Sequence, residues 1–430
     1  MTVTVAFDGA FAIDSAGDDA PLAYMVHALR KRLDRPRFVA LVRHPDWRLA
    51  RRLGVETAAN LEHDSKTASL GRWYRGLNYG DSRSGLEAVA EVVASADLLV
   101  LGAGNFLTEV GIDVLRGHLP RFVAMTLAAQ MAGTPVMLFG LSANRLRHPW
   151  TARAAQWLLH AADGVTFRER IAIENLEASG VRIPDHALLP DPALGAPPAA
   201  IGLESSLLAR EGIPLRRGRR LGIALRDLGW LGRATAEHYE REQIALIDAW
   251  CANEGDDVLC VPQCTYDVDG PRTDDRRVAG TLRDHCRFPD KVHVIQGRYD
   301  YDEIESFYRA VDGVVATRLH GAVFAARMGI PVVGIAYEDK VRGFFDQLGM
   351  LEASLPWDAS STGMLERLHD LMADGDRTRT RLRAGIARLQ AGLVTYVDLA
   401  ERLATSSQGS RTGLTAGRRA PMRSMPTPTA

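Results

Sequence analysis

The sequence predicts an α/β protein built from two Rossmann-like domains that face each other across a cleft. Three observations carry this. Short apolar runs alternate with longer amphipathic stretches in the first half of the chain, the pattern of βαβ units around a mostly parallel sheet. A segment rich in Pro, Gly and charge interrupts the pattern near residue 200. The alternation then restarts, as expected for a second domain.

In the first half, the runs at residues 2–7, 37–42, 97–101, 135–139 and 164–167 read as strands. Helical patterns at 20–33, 86–95, 120–131 and 150–162 lie between them. The break is carried by Asp191-Pro-Ala-Leu-Gly-Ala-Pro-Pro-Ala-Ala200 and Gly212-Ile-Pro-Leu-Arg-Arg-Gly-Arg-Arg220, and marks a linker over 196–220. Beyond it, strands are expected at 221–225, 257–261, 292–296, 313–316 and 331–335. Helices are expected at 234–253, 273–286, 301–311 and 322–328, then a long amphipathic segment at 363–403. The domains are therefore placed at 1–195 and 221–405. There is no short-period repeat. The tail 406–430 is rich in Ser, Thr, Gly, Pro and Arg and is expected to be disordered.

Composition removes several function classes. The chain has 430 residues, 46% hydrophobic and 24% charged, values typical of globular proteins. The net charge is −1, from 52 basic and 53 acidic residues, so no bulk field recruits nucleic acid. Four cysteines (Cys251, Cys260, Cys264, Cys286) are too few for a disulfide scaffold and imply a reducing compartment. Cys260 and Cys264 have no companion pair at zinc-ligand spacing, so no metal is expected. The first residues lack a basic n-region, and no window of 18 apolar residues occurs, so a cytoplasmic protein without a transmembrane segment is expected. Only four basic residues are lysine: Lys31, Lys66, Lys291 and Lys340.

The most informative segment runs from Val314 to Arg342. A buried strand delivers Arg318 and His320 to its carboxyl end, where open α/β sheets place ligands. Gly321 lets the backbone turn closely into a helix, whose first N–H groups and dipole suit an anion. Arg318 adds a planar fork for carboxylate or phosphate. His320 adds a group able to carry a proton near neutral pH. A second strand ends at Tyr337-Glu-Asp-Lys340, which puts a phenol, two carboxylates and a rare lysine at the same rim. The alternative for these cations is pairing with carboxylates at a domain interface; the combination Arg-Leu-His-Gly between strand and helix favours an anion site.

Thr317-Arg-Leu-His320, Gly329-Ile-Pro-Val-Val-Gly-Ile-Ala-Tyr337 and Lys340-Val-Arg-Gly-Phe-Phe-Asp-Gln-Leu-Gly349 resemble the C-terminal signature of the polysaccharide pyruvyl transferase family. Asp97-Leu-Leu-Val-Leu-Gly-Ala-Gly-Asn105, Gly133-Thr-Pro-Val-Met-Leu-Phe-Gly140, Gly164-Val-Thr-Phe-Arg-Glu169, Leu189-Pro-Asp-Pro192 and Leu221-Gly-Ile-Ala-Leu-Arg226 resemble its other blocks. Ser15-Ala-Gly-Asp-Asp19 is similar to a degenerate form of its Asn-x-Gly-Asp-Glu turn. The resemblance spans most of residues 5 to 400.

It implies a GT-B-like fold and transfer of the pyruvyl skeleton of phosphoenolpyruvate to sugar hydroxyls, with release of phosphate. Phosphoenolpyruvate is then a co-substrate and no other cofactor is implied. The donor carries a carboxylate and a phosphate, which guanidinium groups and free N–H donors suit. Protonating its methylene carbon calls for a general acid, and the attacking hydroxyl for a base. Carried over, the donor site is Arg318, Leu319, His320 and Gly321, with Arg318 and His320 in the catalytic roles.

Arg226, ending the first strand of the second domain, is the second guanidinium candidate, and Lys340 a further donor contact. Pairing of Arg226 with Asp227 is the alternative. Arg168 ends a first-domain strand, with Glu169 as a ready partner. On the acceptor side the candidates are Asp18, Asn105, Glu109 and Trp73. Trp73 belongs to Lys66-Thr-Ala-Ser-Leu-Gly-Arg-Trp-Tyr-Arg-Gly-Leu-Asn-Tyr79, a loop able to stack on a sugar or cover the cleft. Gln263 and Tyr266 follow a second-domain strand toward the cleft. The turn Gly102-Ala-Gly-Asn105 fails as a dinucleotide fingerprint, because Leu107 stands where the third glycine belongs. The acceptor, a glycan or small molecule, and the oligomeric state are left open. Two other functions compete: a GT-B glycosyltransferase using a nucleotide-activated sugar, and a catalytically silent ligand-binding homologue.

Overall fold

The computed structural model describes residues 2–43, 48–62, 85–109, 117–214, 218–253, 256–266 and 273–417. It contains two parallel sheets. The first has seven strands in the order β3-β2-β1-β4-β5-β6-β7: β1 Thr4–Asp8, β2 Arg37–Val42, β3 Glu56–Ala59, β4 Leu98–Leu107, β5 Val136–Ala143, β6 Gly164–Phe167 and β7 Ala187–Leu188. The second has six in the order β10-β9-β8-β11-β12-β13: β8 Arg220–Ala224, β9 Asp257–Cys260, β10 Val292–Val294, β11 Gly313–Ala316, β12 Val332–Ala336 and β13 Ser354–Pro356. The α/β class and the two Rossmann-like sheets expected from the sequence are therefore present.

Both sheets carry continuous apolar strands because helices cover both faces. β1 and β5 are buried along their whole lengths. In each sheet the strand order reverses once, at β1/β4 in the first and β8/β11 in the second. A crevice opens at such a reversal, outside the strand carboxyl ends. The two crevices face each other, and the halves are stitched beside them. Ser15 and Cys264 form an antiparallel bridge, Ala16 N donates to Gln263 O at 3.0 Å, and Thr265 N donates to Asp14 O at 2.9 Å.

The structure differs from the sequence reading at several places. The strands expected to end at 101 and 139 continue as β4 to Leu107 and β5 to Ala143, pairing with each other over the added length. The glycine turn at 102–105 is thus part of β4. The linker span 196–220 holds the helix Leu203–Arg210, whose Leu207 and Leu208 are buried. Its flanking backbone is also held, by Glu305 accepting from Ala199 N and by Arg309 donating to Ala199 O and Ala200 O.

The long C-terminal pattern is three helices, Ser361–Ala373, Gly375–Gly392 and Val394–Gly417. The last crosses back onto the first sheet, so the second domain does not run to 405 as one unit. Tyr396 packs edge-on against Phe139 with ring centroids 4.9 Å apart, and Leu399 and Leu403 approach Gly164. Tyr24 Oη donates to Leu393 O at 2.6 Å. An apolar stripe that fits either sheet gives no domain assignment from sequence alone. That helix also runs through part of the tail read as disordered, to Gly417; residues 418–430 lie outside the described residues.

Candidate active site

The interdomain cleft has a volume of about 440 Å³. Its second-domain wall follows from the ends of β8, β11 and β12. Arg226 lies two residues past β8, Arg318 and His320 follow β11, and Tyr337, Glu338 and Lys340 follow β12. Its first-domain wall carries Ser15 and Asp18 beyond β1, Asn105 and Phe106 of β4, Asn144 after β5, His118 and Arg168. A separate hollow of about 520 Å³ lies between the helix Ala16–Arg30, residues 195–198 and the last two helices. Arg32 and Arg327 there are already paired, with Asp398 and Glu401 and with Glu305.

Arg318 caps the helix Leu319–Arg327 with an extended backbone, and its side chain turns toward the helix Asp275–His285. Its Nε donates to both Asp275 oxygens at 3.0 and 3.1 Å, and Nη2 donates to Oδ1 at 2.6 Å. Asp275 Oδ2 also accepts from the amides of Gln263 and Cys264 at 3.0 Å each. Burial works against the Arg318 charge, and the Asp275 carboxylate more than offsets it, so the guanidinium stays protonated. The carboxylate pairing thus exists, and it uses one edge of the fork. Nη1 makes no hydrogen bond among the described residues, which leaves it for a ligand in the cleft. The amides of Leu319 and His320 open the helix without intrahelical or other backbone partners. They add dipole-assisted donors beside that Nη1.

Gly321 does not line this wall. A Cβ there would sit 2.4 Å from the Ala224 Cβ, so the glycine lets the helix rest on β8. This corrects its expected place among the donor contacts.

His320 sits where the two halves meet. Its ring lies over Gly17, near the start of the helix Ala16–Arg30. Its Nε2 is buried, has no hydrogen-bond partner among the described residues, and lies 3.7 Å from Asp191 Oδ2. Asp191 in turn accepts from Arg168 Nη1 at 3.0 Å and from Ala193 N at 2.9 Å. Burial opposes its charge, yet Arg168 and His320 hold the carboxyl well below the usual range. Arg168 also contacts Ser142 Oγ and Glu169. The structure therefore adds an Arg168–Asp191–His320 chain beneath the cleft. Its middle member stood in the Leu189-Pro-Asp-Pro192 block, but nothing local linked it to a histidine 129 residues away.

Arg226 does not pair with Asp227, which instead caps Gly229 N. Among the described residues no carboxylate lies within 4 Å of Arg226. It donates to Tyr337 Oη and lies over the Tyr337 and Trp230 rings, 4.8 and 5.8 Å from their centroids. Lys340 pairs with Glu338 and lies 5.6 Å from the Tyr337 ring centroid. Lys340 and Arg226 hold the Glu338 carboxyl down against the opposing effect of burial.

On the other wall, Asp18 accepts from Ser15 Oγ, and Asn105 donates to Asn144 Oδ1 at 3.0 Å. Asn105 Oδ1 is buried and unpartnered. His118, absent from the sequence candidates, accepts from Arg121 at Nδ1 over 3.1 Å, which leaves the proton on Nε2. Burial pushes its pKa down to about 4. Tyr266 also lines the cleft, its phenol pushed up to about 12 by burial. Gln263 donates its amide N–H groups to Tyr308 Oη and Val261 O, while its Oε1 is buried without a partner among the described residues.

Glu109 lies elsewhere. Its Oε1 accepts from Arg147 N, His148 N and Thr151 Oγ1, the start of the helix Pro149–Ala161. It is a helix-end acceptor rather than a cleft group, which corrects the acceptor assignment. Trp73 and its loop lie outside the described residues.

Comparison with known proteins agrees with this architecture. Anabaena HepE in complex with UDP-glucose superposes with a TM-score of 0.57 at 14% identity, covering 94% of this chain and 99% of that one. Neisseria meningitidis UDP-GlcNAc 2-epimerase gives 0.55 at 11% identity, covering 93% and 99%. These likenesses establish a GT-B-type fold. The amylovoran biosynthesis protein AmsJ of Erwinia amylovora is 25% identical over 270 residues, 62% of this chain, and the chain spans 63% of that relative's length. The polysaccharide pyruvyl transferase family profile matches residues 16–339, from the start of the Gly17 helix to the residue before Lys340. The chain belongs to the polysaccharide pyruvyl transferase family.

Proposed function

We propose that the protein transfers the pyruvyl group of phosphoenolpyruvate to hydroxyls of a sugar or sugar-like acceptor and releases inorganic phosphate. The observation that carries this reading is the set of unspent donors on one wall. Among the described residues Arg226 has no carboxylate partner, Arg318 has a free Nη1, and the Leu319 and His320 amides are open. Two anionic groups a few ångströms apart on one small donor match them. The name of AmsJ, an amylovoran biosynthesis protein, supports a glycan as acceptor.

In this reading Arg318 and the helix start hold one anion of the donor, and Arg226 with Lys340 holds the other. Protonation of the methylene carbon makes a methyl group and leaves C2 electron-poor. An acceptor oxygen bonds to C2. A second hydroxyl replaces the phosphate there and closes a ketal. One hydroxyl proton balances the new methyl, and the other leaves with phosphate. His320 is the proton-transfer candidate, steadied by Asp191. Asp18 and Asn105 face the acceptor.

The test is turnover of phosphoenolpyruvate with a panel of sugars and UDP-sugars, reading inorganic phosphate. Acceptor-dependent phosphate release that collapses in Arg318→Ala supports the proposal. Nucleotide release without loss of phosphoenolpyruvate makes the protein a glycosyltransferase. Binding of phosphoenolpyruvate without turnover makes it a silent homologue.

A further inference from the structure

We infer that the outer face of the first domain formed by the helices His118–Ala132 and Pro149–Ala161 docks on an anionic lipid bilayer. These helices pack side by side on one face of the first sheet. Their outward positions are unusually apolar. Leu127 is 50% exposed and Met131 83%, one turn apart on the first helix. Trp150 and Trp157 are 48% and 39% exposed, two turns apart on one side of the second. Residues that large lose little by staying in water singly, but four on two adjoining helices form a patch that calls for a partner.

Charge identifies the partner. Between Asp113 and Asp163 the chain contains no Asp or Glu, although acids make up 53 of its 430 residues. The same stretch contributes Arg145, Arg147 and Arg153, all exposed and none in an ion pair among the described residues. The whole molecule is close to neutral, so this acid-free, arginine-bearing stretch is a local feature, bordered by Glu109 at the start of the second helix and by Glu87 and Glu91 on the neighbouring helix Gly85–Ser95. Indole rings favour the level of lipid headgroups, where an apolar body and a polar N–H both find company. Arginines beside them meet anionic headgroups, and leucine and methionine enter the acyl boundary.

The patch also adjoins the cleft. Asn144 lines the cleft, and Arg145, Arg147 and Trp150 follow it directly along the chain. Docking on this face brings the first-domain rim of the cleft to the bilayer.

Co-sedimentation of the full chain with vesicles of phosphatidylglycerol and phosphatidylcholine in equal parts tests this, against vesicles of phosphatidylcholine alone. Binding to the anionic vesicles is expected, with little to the neutral ones and a steep loss with added salt. The double substitution W150A with W157A is expected to abolish binding while leaving the melting temperature unchanged. Each of R145Q, R147Q and R153Q is expected to weaken binding roughly fivefold. L127Q with M131Q supplies a second apolar pair if the tryptophan variant unfolds. Absence of binding to anionic vesicles, equal binding to both compositions, or binding untouched by either apolar pair overturns the inference. So does a wild-type dimer that W157A dissociates, because a second copy then covers the face.

Discussion

His320 and Asp191 come from opposite halves of the chain and meet at the domain interface, with Nε2 3.7 Å from Oδ2. Arg168 holds the far side of the same carboxylate. The arrangement lets Asp191 orient the imidazole. Asp191→Asn is therefore expected to lower kcat by roughly a hundredfold. Circular dichroism should show the fold retained, and the melting shift caused by phosphoenolpyruvate should survive. Unchanged kcat would remove His320 from proton transfer.

Gly17 leaves the space that the His320 ring occupies. A Cβ at residue 17 would lie 1.8 Å from His320 Nδ1. Gly17→Ala is expected to displace the ring, abolish turnover and cost about 1–3 kcal/mol of stability, the scale for overpacking. Full activity in that variant would contradict the ring position.

In the proposed reaction Arg318 binds the donor, and Asp275, which holds one edge of its guanidinium, aims it. Arg318→Ala is expected to reduce kcat/KM for phosphoenolpyruvate by the worth of a charged hydrogen bond, about 1.5–3 kcal/mol. Asp275→Asn leaves the guanidinium in place but frees it to swing. It is expected to raise KM more than it lowers kcat. Equal falls in both variants' kcat alone would sink this division of roles.

Arg226 donates to Tyr337 Oη and sits over the Tyr337 and Trp230 rings, an arrangement lysine does not reproduce. Arg226→Lys keeps the charge and loses the fork. A roughly tenfold rise in KM for phosphoenolpyruvate is expected in steady-state assays, as a bidentate site gives way to a point charge.

Acid stability reports a different network. Glu62 pairs with buried Arg121 at 2.7 Å and with Arg43 at 3.2 Å. Burial raises its pKa, and Arg121 more than reverses this, bringing it down to about 2 from 4.5. The folded value lies below the unfolded one. The stabilisation is therefore complete above pH 4.5 and is lost as pH falls toward 2. Glu62→Gln is expected to cost about 3 kcal/mol at neutral pH, the scale for breaking a buried pair. The gap between variant and wild type should shrink as pH falls through that window in denaturant titrations. A gap independent of pH would contradict the assignment.

Periodicity was enough for the long strands and for the helices between them. β2, β6 and β11 stand at 37–42, 164–167 and 313–316, where their apolar runs placed them. It missed β3, β7 and β13, which are short edge strands with partly exposed residues and little apolar signal. The cleft cations Arg226, Arg318, His320 and Lys340 were legible because each follows a buried strand. Their partners were not. Asp275 meets Arg318 and Asp191 approaches His320 through tertiary contacts 43 and 129 residues apart in sequence, and His118 joins the cleft wall with no local signal to mark it. Glu109 misled for the converse reason: a carboxylate just past a strand end looks like a ligand group until the helix it caps is seen.

The most direct test of the donor assignment is a melting shift with phosphoenolpyruvate beside UDP-, GDP- and CMP-sugars, on wild type and Arg318→Ala. Stabilisation by phosphoenolpyruvate that vanishes in Arg318→Ala is the predicted result. Stabilisation by a nucleotide sugar alone would contradict it.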